Sequence, residues 1–180
     1  MRSYKTNLAV LHYIMAVRNF WSLQVGEAVF SDLVKRNLPN YYQVFFPLNS
    51  QLRGIDLLLF NLETKKVGTI QVKESREFSA GHGWFIVKAS DVEQKTADFY
   101  VFIVYKIVSG EHKSGIGTKV LIVPSSDLIE KSRGKQLVNI KKKPEYHYYF
   151  FIDGNKAIDN RENREVDFTK FLDNYEPLKI

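Results

Sequence analysis

The sequence predicts an α/β fold in which a central mixed β-sheet with an antiparallel meander is flanked by helices. Three observations support this class: two amphipathic segments open the chain, three β-type runs follow at short intervals, and later strands alternate with helices. This order indicates a sheet covered by helices. A doubly wound nucleotide-binding fold is disfavoured, because no strand runs into a Gly-rich phosphate loop.

The two opening segments have the spacing of amphipathic helices. The first runs from about Thr6 to Arg18 and repeats apolar residues every three or four positions. The second begins near Ser22 and ends before Pro39, which cannot continue a helix.

The next segment predicts a three-stranded meander. The runs YYQVFFPL, IDLLLFN and VGTIQVKES read as strands, joined by a turn at 49–53 and by ETKK. Because both connections are short, consecutive strands are expected to be antiparallel neighbours.

Beyond the meander, strands and helices alternate. After a glycine-bounded loop, WFIV is a short strand, and Ser90 is expected to open a helix as the first residue of a capping box with Glu93. FYVFIVYKIV is apolar on both faces, which is typical of a central strand, and KVLIVP resembles it. SSDLIEKS is expected to start another helix. The aromatic run YHYYFFI is expected to be a strand that belongs to the core or to a subunit contact. A C-terminal helix is expected at Phe168 to Tyr175.

Composition narrows the class of protein. A chain of 180 residues without repeats or linkers indicates one domain, residues 1–180. It has no cysteine, so disulfides, zinc thiolate sites and cysteine nucleophiles are excluded, and its four histidines show no zinc spacing. A net charge of +6 favours an anionic partner, nucleic acid first. The N-terminus lacks a signal-peptide pattern and no apolar run is long enough for a membrane span, so we expect a soluble intracellular, cytoplasmic protein with no membrane partner.

Two charged residues stand where the sheet core is expected. Asp56 opens the second strand, while Gln71 and Lys73 share one face of the third. Since the turn between these strands is short, the three polar side chains should converge at one edge of the sheet. A buried charge is costly unless it is paired or binds a metal. Spacing alone leaves both a structural Asp56–Lys73 ion pair and a metal site open.

Glu27 adds a second carboxylate. It lies in the second helix, one turn before Phe30, at the border of the apolar stripe, and points toward the sheet edge if that stripe packs on the sheet. Two carboxylates, an amide oxygen and a lysine suit Mg²⁺, with Mn²⁺ as an alternative. A lysine there can orient or deprotonate a water, or stabilise developing charge on a phosphate.

The segment GIDLLLF followed by IQVK resembles the motif of the PD-(D/E)xK superfamily, the restriction-endonuclease-like nucleases. The similarity covers roughly Gln24 to Val123 in the order of elements, with a motif-bearing core at about 22–124. The sequence departs from the family pattern where Gln71 replaces an acidic residue, and the same Q-x-K variant is found in the Mrr-like branch.

The resemblance implies a Mg²⁺-dependent nuclease, an endonuclease acting on DNA, with RNA left open. It implies that Asp56 and Glu27 hold the metal, that Gln71 adds a carbonyl ligand and that Lys73 positions the attacking water. Cutting both strands often takes two sites, which favours a homodimer. The alternative function is a catalytically inactive domain of the same fold that binds nucleic acid or a protein, because Gln71 removes one negative charge from the site.

Other residues are candidates for contact with nucleic acid. Trp84, beside His82 in a Gly-rich loop, could stack on a base; the alternative is that the glycines make a turn and Trp84 begins a core strand. Gln94 or Lys95, one turn beyond Asp91 in the expected helix, could line the site, and a solvated face is the alternative. Further candidates are Arg76 at the end of the catalytic strand, with Ser75 and Glu77, the KSRGKQ segment at 131–136, and Lys141, Lys142 and Lys143 as phosphate contacts.

Overall fold

The described residues form two β-sheets and three α-helices. The computed structural model describes residues 25–47, 52–75, 82–109 and 114–180. The predicted helix at 6–18, the start of the second helix, most of the turn at 49–53, and Arg76 and Glu77 lie outside these residues. No helix within the described ranges is long and apolar enough to cross a membrane. The helices are α1 (Val25–Asn37), α2 (Ala89–Glu93) and α3 (Ser125–Ser132), and the strands are β1 (Tyr42–Phe45), β2 (Leu57–Asn61), β3 (Val67–Glu74), β4 (His82–Lys88), β5 (Phe99–Ser109), β6 (Ser114–Pro124), β7 (Glu145–Asp153), β8 (Lys156–Asp159) and β9 (Val166–Asp167).

The first sheet is mixed, with five strands in the order β1-β2-β3-β5-β6. The predicted antiparallel meander is confirmed, since β1 pairs with β2 and β2 with β3 in antiparallel register. β5 then lies parallel to β3. A parallel neighbour needs a crossover connection, and here the crossover consists of β4 and α2.

The two faces of this sheet carry separate cores. On the α1 face, Leu57, Ile70 and Val101 pack with Phe30 and Val34 of α1. Alternate residues point to the opposite face, where they pack against β4 and β7 of a second sheet; we call it the second-sheet face. Its buried residues include Tyr100, Phe102, Val104 and Leu121. Residues 99–105 of β5 are all buried, so its prediction as a strand covered on both faces is confirmed.

The predicted mixed sheet with flanking helices is confirmed, but the prediction did not include the second sheet that covers one of its faces. WFIV belongs to β4 and YHYYFFI to β7, and these strands form a second, antiparallel sheet in the order β4-β7-β8-β9. Its inner residues, such as Phe85 and Tyr148, pack on the first sheet together with α3. An alternating strand pattern gives the side that is buried, not the sheet to which the strand belongs.

Two predicted helical features also differ. α2 begins at Ala89, directly after β4, so Ser90 lies inside the helix and Lys88 stands at its N-cap without a side-chain cap bond. The expected helix at 168–175 is a single 3-10 turn, Thr169–Phe171. Asp173 interrupts it with a φ of 49°, because its N–H donates to the Val120 carbonyl at 2.7 Å and its Oδ1 accepts from the Val120 N–H at 3.0 Å. The chain around Asp173 therefore runs along the edge of β6 and does not continue as a helix.

Candidate active site

Asp56 is held at the point where β2 begins to pair with β3. Its N–H donates to the Ile70 carbonyl at 2.8 Å, and its Oδ2 accepts from the Val72 N–H at 2.8 Å. The side chain thus takes the place that a backbone carbonyl would have in the ladder. This bond fixes the carboxylate beside the middle of β3, half-buried.

The turn before Asp56 requires glycine. Gly54 has a φ of +78°, and a Cβ there would lie 2.8 Å from Thr96 Oγ1 and 3.5 Å from Gln71 Nε2. Backbone with positive φ and no room for a side chain is the normal setting of a glycine. The close packing brings the turn, β3 and the segment after α2 together around Asp56.

Gln71 and Lys73 point to the second-sheet face, opposite to Ile70 and Val72. Gln71 is 3% exposed, and its Oε1 is a buried acceptor that has no hydrogen-bond partner among the residues that the structure describes. An unsatisfied buried carbonyl costs about 1–3 kcal/mol. Gln71 therefore keeps an unused oxygen ligand in the position where the motif has an acidic residue.

Lys73 is half-buried near two negative charges and one positive charge. Burial lowers the pKa of its ammonium group, the carboxylates of Asp56 and Asp91 raise it, and Lys88 lowers it again. Among the ion pairs of the described residues, none includes Lys73. The direct Asp56–Lys73 contact that a structural ion pair would require is thus not formed, although both charges belong to one site.

Asp91 is the acidic neighbour that sequence reasoning missed. Its carbonyl accepts from the Tyr100 hydroxyl at 2.6 Å, from the Thr96 N–H at 3.0 Å and from Thr96 Oγ1 at 3.2 Å. These bonds anchor α2 over the second-sheet face, next to Lys73. Burial raises the pKa of Tyr100 to about 12, so its hydroxyl remains a donor at neutral pH. The available signal was the acidic residue in the first turn of the helix after WFIV, a position that the capping-box interpretation, based on Ser90 and Glu93, did not use.

Glu27 is buried, at 1% exposure, on the side of α1 that packs on the sheet. This side meets the α1 face, whereas Gln71 and Lys73 point to the opposite face. Its neighbourhood contains Glu74, since a Cβ on Gly26 would lie 2.9 Å from Glu74 Oε2. The carboxylates whose charge acts on Lys73 are Asp56 and Asp91, and Glu27 is not among them. Glu27 was expected at the border of the apolar stripe; it is instead fully buried within the sheet-facing side of α1, and it approaches from the other face of the sheet.

Metal-binding capacity in this region rests on few oxygen atoms. Within the described part of the chain, no group of three or more His, Cys, Asp or Glu side chains is placed to hold a metal. What remains is the carboxylate of Asp56, just before β2, and the side-chain carbonyl of Gln71, on the part of β3 to which Asp56 is hydrogen-bonded. Mg²⁺ is often bound by one or two carboxylates with waters and substrate phosphate completing its coordination, so this donor set fits a metal that binds together with its substrate.

The remaining candidates are dispersed. Lys95 is not helical, because α2 ends at Glu93 and Lys95 has a φ of 51° in the turn that follows, where it is exposed. Trp84 is 49% exposed on the outer face of the second sheet and does not begin a core strand.

The two basic segments differ in their exposure. In the KSRGKQ segment, Lys135 is buried in an ion pair with Asp159 at 2.6 Å, which removes it from any phosphate-binding surface. Lys141, Lys142 and Lys143 form an exposed turn before β7.

Comparisons of the chain with protein-family models, with curated proteins and with solved structures found no match. The site is therefore interpreted from its own residues.

Proposed function

We propose that this chain is a Mg²⁺-dependent nuclease with a restriction-endonuclease-like fold, hydrolysing phosphodiester bonds in DNA. The observation that carries the proposal is the buried, unpartnered Oε1 of Gln71 beside Asp56 and Lys73. Evolution of a stable core alone gives no reason to keep such an oxygen, because an apolar side chain of similar shape avoids its cost.

The surrounding fold supports the proposal. The helix α1, the meander β1-β2-β3 and the parallel strand β5 follow the order that the family resemblance implies, and Asp56, Gln71 and Lys73 meet at the start of β2 and the middle of β3. The second sheet and α3 are additions to that pattern.

Each residue has a distinct role in the proposed reaction. Asp56 and Gln71 would hold the metal through one carboxylate and one carbonyl oxygen. Mg²⁺, when bound, would supply charge neutralisation at the phosphate and a water of lowered pKa. Lys73 would donate hydrogen bonds to the attacking water or to a phosphate oxygen. Asp91, anchored through its carbonyl, would limit the fall of the Lys73 pKa.

The test is cleavage of supercoiled plasmid, single-stranded DNA and RNA in Mg²⁺, Mn²⁺ or EDTA. Asp56→Asn keeps an oxygen that can accept from the Val72 N–H, so it should fold while it loses the metal-binding charge. Lys73→Met keeps the length of the side chain. Matched controls are Asp32→Asn and Lys66→Met, both at exposed positions. We expect metal-dependent cleavage that is lost in the first pair and kept in the second; cleavage that survives both site substitutions would refute the assignment.

A second candidate function is a catalytically inactive domain that binds nucleic acid or a protein partner. The observation that favours it is the lack of a third carboxylate beside Asp56 in the described region, together with the neutral Gln71. A DNA-binding measurement made beside the cleavage assay separates the two functions: DNA binding without cleavage in either metal supports the inactive domain.

A further inference from the structure

The second sheet carries a row of exposed rings on its outer face. The inner residues of β4, such as Phe85, face the core, so the alternate residues His82, Trp84 and Ile86 point outward. On β7, Tyr149 and Phe151 lie opposite Trp84 and His82 in the antiparallel register. Trp84 is 49% exposed and Phe151 37%. This face lies on the far side of the second sheet from Asp56 and Lys73.

The rings are ordered by contacts with each other. His82 stacks on Tyr149 with ring centroids 5.7 Å apart and 13° between the planes, and it meets Phe151 at 4.7 Å. Trp84 packs beside His147 at 5.8 Å. Rings held in this way lose little further conformational freedom when a flat ligand is added to their open sides.

A shallow cleft, largely open to solvent, lies between the rings and a cation. It has a volume of about 390 Å³ and is lined by Trp84, Tyr149, Asn160 and Arg161. Asn160 is tied to the sheet, because its N–H donates to the Tyr149 carbonyl at 3.2 Å. Among the ion pairs of the described residues, none includes Arg161. The lining thus offers two aromatic faces, an amide and a cation, and no carboxylate.

We propose that this face, the Trp84 cleft, binds single-stranded nucleic acid, with one base stacked on Trp84 or Tyr149 and a phosphate on Arg161. Aromatic side chains combined with a cation are the usual means by which unpaired bases are held. A base within a duplex has its faces covered by its neighbours, so it cannot stack there. The net charge of +6 complements a polyanion. The inference concerns binding at a place separate from the candidate active site, and it does not depend on cleavage.

The test is fluorescence anisotropy of labelled 12-nucleotide DNA and RNA strands and of the matched duplex, in EDTA so that metal-dependent cleavage does not interfere. The discriminating pair is Trp84→Phe, which keeps a ring, and Trp84→Leu, which keeps apolar bulk without one. Phe45→Leu is the matched control, because Phe45 is an exposed ring (52%) on the first sheet. We expect Trp84→Leu to weaken single-strand binding by about 5-fold to 150-fold, and Trp84→Phe and Phe45→Leu to stay close to the wild type.

Two further readouts locate the contact. In the Trp21→Phe background Trp84 is the sole tryptophan, and the single strand should quench its fluorescence. Arg161→Gln should reduce the salt dependence of single-strand binding by about 0.7 in log–log slope, the value for one phosphate. Preference for the DNA or the RNA strand identifies which of the two the cleft accepts.

Several results would overturn the inference. They are the absence of oligonucleotide binding, equal binding of the duplex with the same dependence on Trp84, or equal affinity of the wild type and Trp84→Leu. Sedimentation gives one more: if Trp84→Leu turns a dimer into a monomer and leaves oligonucleotide affinity unchanged, the face serves a second copy of the chain instead.

Discussion

Replacement of Gln71 by methionine should stabilise the protein and remove its response to metal. Gln71 is 3% exposed, and within the described part of the chain its buried Oε1 has no hydrogen-bond partner. Such an oxygen costs about 1–3 kcal/mol, and an apolar side chain of the same shape avoids this cost. We therefore expect Gln71→Met to raise the free energy of unfolding by about 1 kcal/mol or more, which for a chain of this size raises Tm by about 2–4 °C for each kcal/mol.

The second part of the prediction concerns the effect of Mg²⁺ on stability. A ligand at ten times its Kd stabilises the folded state by about 1.4 kcal/mol. Mg²⁺ should thus raise the stability of the wild type and leave that of Gln71→Met unchanged. Urea denaturation with and without Mg²⁺ measures both effects. The control is Gln43→Met, an exposed position where a change within about 0.5 kcal/mol is expected and the metal response is kept.

Two results would refute this reasoning. If Gln71→Met lowers the stability by more than about 1 kcal/mol, the amide makes a favourable contact that its geometry does not indicate. If Mg²⁺ stabilises the wild type and the variant equally, Gln71 is not a ligand.

Three other changes test the packing. Lys135→Met leaves the carboxylate of Asp159 buried without its cation, since the side chains of Lys135 and Asp159 are 4% and 1% exposed. Urea denaturation should show that the free energy of unfolding falls by about 3–5 kcal/mol. A fall of less than about 1 kcal/mol would contradict this expectation. Gly54→Ala should cost more than about 1 kcal/mol by the same measurement, because φ is +78° and its Cβ would lie 2.8 Å from Thr96 Oγ1; a neutral result would show that the turn can shift. Burial raises the Tyr100 pKa to about 12, above its ordinary value of about 10, so the neutral side chain contributes stability that is fully present below pH 10 and is lost between pH 10 and 12. The unfolding free energy of Tyr100→Phe should therefore fall less steeply with pH over that range than that of the wild type. An equal slope in the two proteins would exclude Tyr100 as the source of the pH dependence.

The meander and the position of Asp56 could be predicted because they depend on local signals. Alternating apolar residues and short turns define β1 to β3, and pairing across a short turn brings Asp56 next to Gln71 without knowledge of the rest of the chain. The same signals predicted the burial of β5 on both faces, which its continuous apolar sequence requires.

The second sheet could not be predicted in this way. β4 pairs with β7, about 60 residues later, although it is close to β3 along the chain. Only long-range pairing decides to which sheet it belongs. Consequently Trp84 reads in the sequence as a residue of a loop or core strand, whereas it lies on an outer face.

The acidic residues show the same limit. The apolar stripe of α1 correctly predicted that Glu27 is directed at the sheet, but the face on which α1 packs is a tertiary property. Asp91 was missed because its helix begins one residue earlier than expected and is anchored through the Asp91 carbonyl by Tyr100 and Thr96. Neither partner bond has a sequence signature.

Asp56, Gln71 and Lys73 are proposed to form a metal-dependent phosphodiesterase site. The most direct measurement is the initial rate of cleavage of a DNA oligonucleotide that carries a fluorophore and a quencher, recorded as a function of Mg²⁺ concentration. For the wild type we predict a rate that saturates with Mg²⁺ and vanishes in EDTA, and for Lys73→Met a fall of about 100-fold or more at saturating metal, with Lys66→Met unchanged. A rate that is independent of Mg²⁺, or equal in Lys73→Met and the wild type, would contradict the account.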